Sequence, residues 1–144
     1  MLVSQVLKSK ASNEVVTIGP NSSVADAASL LSSKRIGTVV ITADGKHAKG
    51  ILSERDIVRE IGKRGPSCLN DPVAEMMTRD PVVCVATDTA DAVLSRMTDG
   101  RFRHMPVVDS GALIGLITLG DVVKARLAEL AMEKDALEGM IMGH

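Results

Sequence analysis

Aromatic side chains are almost missing from this chain. Phe102 is the only one in 144 residues, with no Trp and no Tyr. Proteins that grip single-stranded nucleic acid stack bases on several aromatic rings. The composition argues against that function, and any base held here must lie between aliphatic side chains. A charge excess is missing too. The 17 Lys and Arg stand against 18 Asp and Glu, a formal net charge of −1. Unaided nucleic-acid binding is thereby disfavoured, because Lys and Arg neutralising phosphates supply most of that affinity. Cysteine is scarce. Cys68 and Cys84 make no disulfide framework and match no zinc spacing. They are expected to be small apolar fillers in a reduced, cytoplasmic protein. Three scattered histidines, His47, His104 and His144, suggest no metal site. Met1 to Lys10 holds no long apolar run, so neither a signal peptide nor a membrane span is expected. No Gly-rich phosphate loop, Cys-His pair or Ser-His-Asp set occurs at a recognisable spacing, which argues against an enzyme.

What is present is an ordinary globular composition, 45% hydrophobic and 24% charged, arranged as a repeat. Gly50-Ile51-Leu52-Ser53-Glu54-Arg55-Asp56-Ile57-Val58 and Gly115-Leu116-Ile117-Thr118-Leu119-Gly120-Asp121-Val122-Val123 share one pattern. It is Gly, two apolar residues, a hydroxyl, two variable positions, Asp and two apolar residues. Upstream, Val15-Val16-Thr17-Ile18 matches Val82-Val83-Cys84-Val85. Ile36-Gly37-Thr38-Val39-Val40-Ile41 matches Phe102-Arg103-His104-Met105-Pro106-Val107. Short helical lead-ins, Val3 to Leu7 and Val73 to Met77, correspond as well.

Pattern predicts the elements of each repeat. Val15–Ile18 is a β-branched strand. Ser23–Lys34 carries Val24, Ala27, Ala28 and Leu31 on one helix face. Gly37–Thr42 is a buried strand, Ala43–Lys46 a hairpin turn and Gly50–Leu52 the next strand. Ser53 opens a helix to about Ile61, and 62–72 form a linker. Each repeat is β-α-β-β-α, an α/β (α+β) class of fold. One repeat of about 60 residues buries too little surface to stand alone, so two packed sheet to sheet are expected to share one core. Residues 1–65 make the first repeat with its lead-in, 66–128 the second, and 129–144 a helical extension. In that extension Val123, Leu127, Leu130, Leu137 and Ile141 follow coiled-coil-like steps interrupted by Lys134. They suit a dimer-stabilising helix, a lever to a partner, or a final helix whose end is solvated.

Ile36–Ile41, Gly50–Asp56 and Arg103-His104-Met105-Pro106-Val107-Val108 resemble the corresponding segments of stand-alone bacterial CBS-pair proteins. The tandem is known as a Bateman module, and the resemblance runs from about Val3 to Leu127. It implies two repeats related by a pseudo-twofold, with helices outside, two clefts between them, and a homodimer. It also implies a non-catalytic regulatory role with an adenosine ligand: AMP, ADP, ATP, NAD or S-adenosylmethionine. No nucleic-acid or membrane partner is implied, though a protein partner is compatible.

The residues suit that chemistry. A carboxylate can accept from both hydroxyls of a ribose, and charge-assisted hydrogen bonds are about twice as strong as neutral ones. Asp56 and Asp121 take that role, one per cleft. Ser53 and Thr118 sit at helix starts, where a hydroxyl and free amides favour phosphate. Arg55 adds charge in the first repeat. Gly120 stands in its place in the second, where Arg101, Arg103 and His104 would compensate. The adenine is expected on the backbone of Gly37, Thr38 and Val39 and of His104, Met105 and Pro106. Its apolar walls are Ile18, Val85, Ile51 and Leu116, with Thr17 and Cys84 on the flanking strands. Another reading makes both Ser/Thr-x-x-Asp motifs simple helix caps. It leaves a partner-binding protein with vestigial clefts. The unequal residues around the two clefts predict unequal affinity.

Overall fold

The computed structural model describes residues 1–142, so His144 lies outside the described residues. Six helices and six strands follow the repeat. The first comprises β1 (Thr17–Ile18), α2 (Val24–Lys34), β2 (Thr38–Ile41), β3 (Gly50–Ser53) and α3 (Glu54–Arg64). It is preceded by the lead-in α1 (Val3–Ser9). A 3-10 turn over Pro66–Asn70 occupies the expected linker. Then come the second lead-in α4 (Val73–Met76), β4 (Thr78–Arg79), α5 (Ala90–Gly100), β5 (His104–Asp109), β6 (Ala112–Thr118) and α6 (Leu119–Ile141).

Local chemistry sets these boundaries. Ser23 caps α2 by accepting the Asp26 amide at 3.0 Å, and Thr89 caps α5 through the Ala92 amide at 3.1 Å. All four residues of β2 are buried, as its unbroken β-branched run requires. It pairs parallel with β1 and antiparallel with β3. The turn between β2 and β3 is held by Asp44 Oδ1, which accepts the amides of Lys46 and His47 at 2.8 Å each. The second repeat keeps its antiparallel pair, β5 and β6. Its expected first strand, Val82–Val85, shrinks to one parallel bridge between Cys84 and Val107. Val82, Val83 and Val85 are exposed there, with Cys84 alone turned inward.

The expected single core is instead two clusters. One gathers Val24, Leu31, Val39, Ile41, Leu52 and Ile57 of the first repeat; the other gathers Val93, Met97, Met105, Val107 and Ile117 of the second. They are tied by exchange of the lead-ins. Val3 and Val6 of α1 are buried in the second repeat's cluster, and Val73 of α4 in the first repeat's. The docking is symmetrical. The Val3 amide donates to the Asp88 carbonyl at 2.8 Å, before α5, and the Val73 amide donates to the Ser22 carbonyl at 2.8 Å, before α2. The repeated motif's glycine lies where the foreign lead-in crosses. A methyl group on Gly50 would meet Met77 Sδ and sit 2.8 Å from the Thr78 carbonyl oxygen, and one on Gly115 would sit 3.2 Å from Leu7. Removing the side chain lets the lead-in approach that closely.

The final helix runs 23 residues. Val122 and Ala125 of its first turns are buried, whereas Leu127, Leu130, Leu137 and Ile141 are exposed. Among the described residues, no helix is long and apolar enough to cross a membrane.

Candidate functional site

The two repeated Asp residues build one local device twice. Ser53 Oγ accepts the Asp56 amide at 3.2 Å, while Asp56 Oδ2 accepts the Ser53 amide at 2.9 Å. Thr118 and Asp121 reproduce it, at 3.1 and 2.9 Å. Both motifs are therefore reciprocal capping boxes. The helix starts offer an anion less than their sequence suggests. The first-turn amides of Glu54 and Leu119 already donate to the carbonyls of Gly37 and Arg103, at 2.9 and 2.8 Å, and those of Asp56 and Asp121 donate to the capping hydroxyls. Of the first-turn amides, those of Arg55 and Gly120 are left for a phosphate, which must draw the rest of its contacts from side chains.

Two clefts open between the repeats, and they differ. The first is about 660 Å³, within the range of about 300–1,000 Å³ usual for small-molecule sites. Asp56 lies on its wall with Gly37, Thr38, Ile51 and Ser53 of the first repeat. The second repeat contributes Thr78, Pro81, Val82, Phe102 and His104. Charged residues of both signs line it. Arg55, Arg59, Arg101 and Arg103 stand against Glu54, Asp56 and Asp80. Asp56 Oδ2 is engaged in the cap, and Oδ1 meets only the exposed Arg59 guanidinium, at 3.3 Å, among the described residues. Arg101 and Asp80 hold positive φ, 57° and 45°, a conformation that costs an ordinary residue about 1 kcal/mol or more.

The second cleft is about 460 Å³, lined by Lys10, Ser12, Asn13, Glu14, Val16, Lys34, Ile36 and Leu116. Gly37, Thr38, His104 and Thr118 line both clefts. At this shared wall the Thr38 hydroxyl is buried and has no hydrogen-bond partner among the described residues. Such a group costs about 1–3 kcal/mol unless something satisfies it. His104 is pushed below its ordinary value of 6.5. Burial is the main cause, with Arg103 adding to it and Glu54, Asp121 and Asp56 opposing. The imidazole is thus neutral at neutral pH.

Asp121 does not line the second cleft; Lys10 does. Lys10 Nζ pairs with Asp121 Oδ2 at 2.9 Å and donates to the Leu116 carbonyl at 3.0 Å. Burial pushes the Asp121 carboxyl up, but the Thr118 amide and the Lys10 ammonium outweigh it and hold the group below its ordinary range.

Of the expected site residues, the structure brings Gly37, Thr38, Ser53, Arg55, Asp56, Arg103, His104 and Thr118 to the first cleft. Others fall elsewhere. Val39, Cys84 and Met105 are buried in the two clusters, and Pro106 is buried beside Met105 on β5. Ile18 packs against the first cluster. Thr17 and Val85 are exposed and line neither cleft. The Cys84 thiol is pushed up to about 12, chiefly by burial, which suits a filler and not a reactive group. Sequence reasoning missed Thr78, Asp80, Pro81 and Val82 of the first cleft, and Lys10 and Glu14 of the second. All follow a lead-in, and the matched starts Val3 and Val73 are the signal that pointed to them. Val82 takes the wall position expected of Val85, because only Cys84 continues the strand pattern.

Two repeats that exchange lead-ins and enclose clefts between them define a class: paired-repeat modules. The chain belongs to the CBS domain family, whose model matches residues 3–63 and 73–128. It is 41% identical to the CBS-domain protein ATU1752 of Agrobacterium tumefaciens; the superposition covers 88% of this chain and 99% of that one, with a TM-score of 0.82. A structure of PAE2072 from Pyrobaculum aerophilum complexed with AMP is 27% identical, covers 92% of this chain and 99% of its own, and gives a TM-score of 0.78. The mitochondrial CBSX3 of Arabidopsis thaliana is 30% identical over 98% of this chain and 72% of its own length. The chain spans only 22–23% of several longer relatives from the same plant.

Proposed function

We propose that this chain is a non-catalytic regulatory module that binds an adenosine nucleotide in the Asp56 cleft. The observation that carries this is the Asp56 carboxylate on the wall of a cleft that four arginines also line. Asp56 Oδ1 accepts the ribose hydroxyls once the exposed Arg59 yields. Ile51 and Val82 flank the adenine, replacing the missing aromatics. Arg101 and Arg103 take the phosphate by the paired donors that guanidinium groups offer. This favours AMP, and extends to ADP, ATP or NAD. It disfavours S-adenosylmethionine, which carries a cationic sulfonium and no phosphate. The AMP complex of PAE2072 supports the ligand class. Binding shifts a homodimer or a partner complex only by the ligand's differential affinity for the two arrangements. Two buried free thiols suit a reducing cytoplasm.

A thermal-shift series with AMP, ATP, NAD and S-adenosylmethionine tests this. Stabilisation by the phosphorylated compounds and little by S-adenosylmethionine is expected. No shift with any of them would leave the reading of a partner-binding protein with vestigial clefts.

A further inference from the structure

Asp56 pairs with Arg59 from its own helix, whereas Asp121 pairs with Lys10, which follows a lead-in, and the first cleft has no such lead-in cation among the described residues. Lys10 stands seven residues after Val3, the first residue of α1; seven residues after Val73, the first of α4, stands Asp80. One lead-in thus delivers an acid to the rim of its cleft, the other a base. The Lys10 ammonium is anchored twice, to Asp121 Oδ2 and to the Leu116 carbonyl, and its side chain is only 23% exposed. Arg59, on Asp56, is 58% exposed and held by one long contact of 3.3 Å. The other cation of the second cleft, Lys34, already faces Glu14 at 3.5 Å.

We propose that Lys10 is a built-in plug: its ammonium, paired with the capping oxygen Oδ2 of Asp121, neutralises that carboxylate and closes the second cleft to adenosine nucleotides. This rests on reading the repeated Asp residues as ribose acceptors. The plug acts in three ways. It neutralises the carboxylate that would attract sugar hydroxyls, and it takes up the neighbouring Leu116 carbonyl. Lys10 also lines the cavity where Asp121 does not, so a ligand reaching for Asp121 meets a doubly held cation. The described cations of this cleft have their charge matched by Asp121 and Glu14, so little remains for a phosphate. Each chain then takes one nucleotide, at Asp56.

Calorimetric titration with AMP tests this on the unaltered chain, Lys10→Met, Lys10→Arg, and Lys10→Met with Asp121→Ala. The plug predicts one AMP per chain for the unaltered protein and for Lys10→Arg, and two for Lys10→Met. The second site is lost again when Asp121→Ala is added. Two sites in the unaltered chain, or one in a folded Lys10→Met, overturn it. So does weaker binding in Lys10→Met, which would make Lys10 a phosphate ligand. Binding only after Lys10→Met, and abolished by Asp121→Ala, would uphold the plug while refuting the Asp56 site. No binding to any form would refute both. Melting curves of each variant without ligand confirm that it is folded.

Discussion

The two clefts carry the same motif and the same capping box, yet they present different chemistry. In the first, the acid lies on the cavity wall amid four arginines. In the second, the matching acid sits behind a lysine, and both cations are paired. The difference comes from outside the motif, in the lead-in that each repeat receives from the other. A capping box stabilises its helix in either setting. On the proposed reading, a nucleotide binds only where the incoming segment leaves the carboxylate accessible. Capping and the proposed recognition are compatible in one Asp, and the lead-in from the other repeat sets how accessible that Asp is.

The comparison breaks most visibly at the acids. At ligand 100-fold above Kd, AMP should stabilise the protein by about 2.7 kcal/mol. Asp56→Ala should abolish that shift while leaving the protein folded, with a loss of about 1 kcal/mol from the cap. Asp121→Ala should keep the AMP shift. Equal losses in both variants, read from melting curves, would make the clefts equivalent.

Arg101→Gly sharpens the contrast with opposite signs. Arg101 ends α5 in the left-handed region, at φ 57°, which glycine adopts freely. The fold should gain about 1 kcal/mol in denaturant unfolding. AMP affinity should fall about tenfold, the cost of one charge-assisted contact. Adenosine, lacking phosphate, should bind as before.

His104, on the wall common to both clefts, gives a smaller effect. Its value in the fold is below 6.5, so the unfolded chain takes up the proton first as pH falls. Stability should then decline as pH drops below about 6.5 and level off once the folded imidazole protonates. His104→Gln should flatten that decline in pH-dependent unfolding. A phosphate in the first cleft favours the imidazolium, so AMP should reduce the decline in the unaltered protein. The smallest change is expected without ligand for Lys10→Met, at most about 1 kcal/mol, since the pair it breaks is only partly buried.

Much of this was legible in the sequence. The repeat, the helix starts at Ser53 and Thr118, and the buried run of β2 follow from local periodicity and capping chemistry, which act within a few residues. The cleft residues Ser53, Asp56, Arg103 and His104 were visible for the same reason. The lead-in exchange was not, because it depends on packing between segments about 85 residues apart, Val3 against Asp88. From that exchange follow the two clusters in place of one core, Val82 in place of Val85, and Lys10 over Asp121. The glycines Gly50 and Gly115 marked it faintly, since a strand gives up a side chain where another backbone comes close.

A crystal structure grown with AMP is the most direct test. The ribose hydroxyls should lie within hydrogen-bond distance of the Asp56 carboxylate, with the phosphate facing Arg101 and Arg103 and Lys10 still on Asp121. AMP seated on Asp121 with the Asp56 cleft vacant would contradict the account.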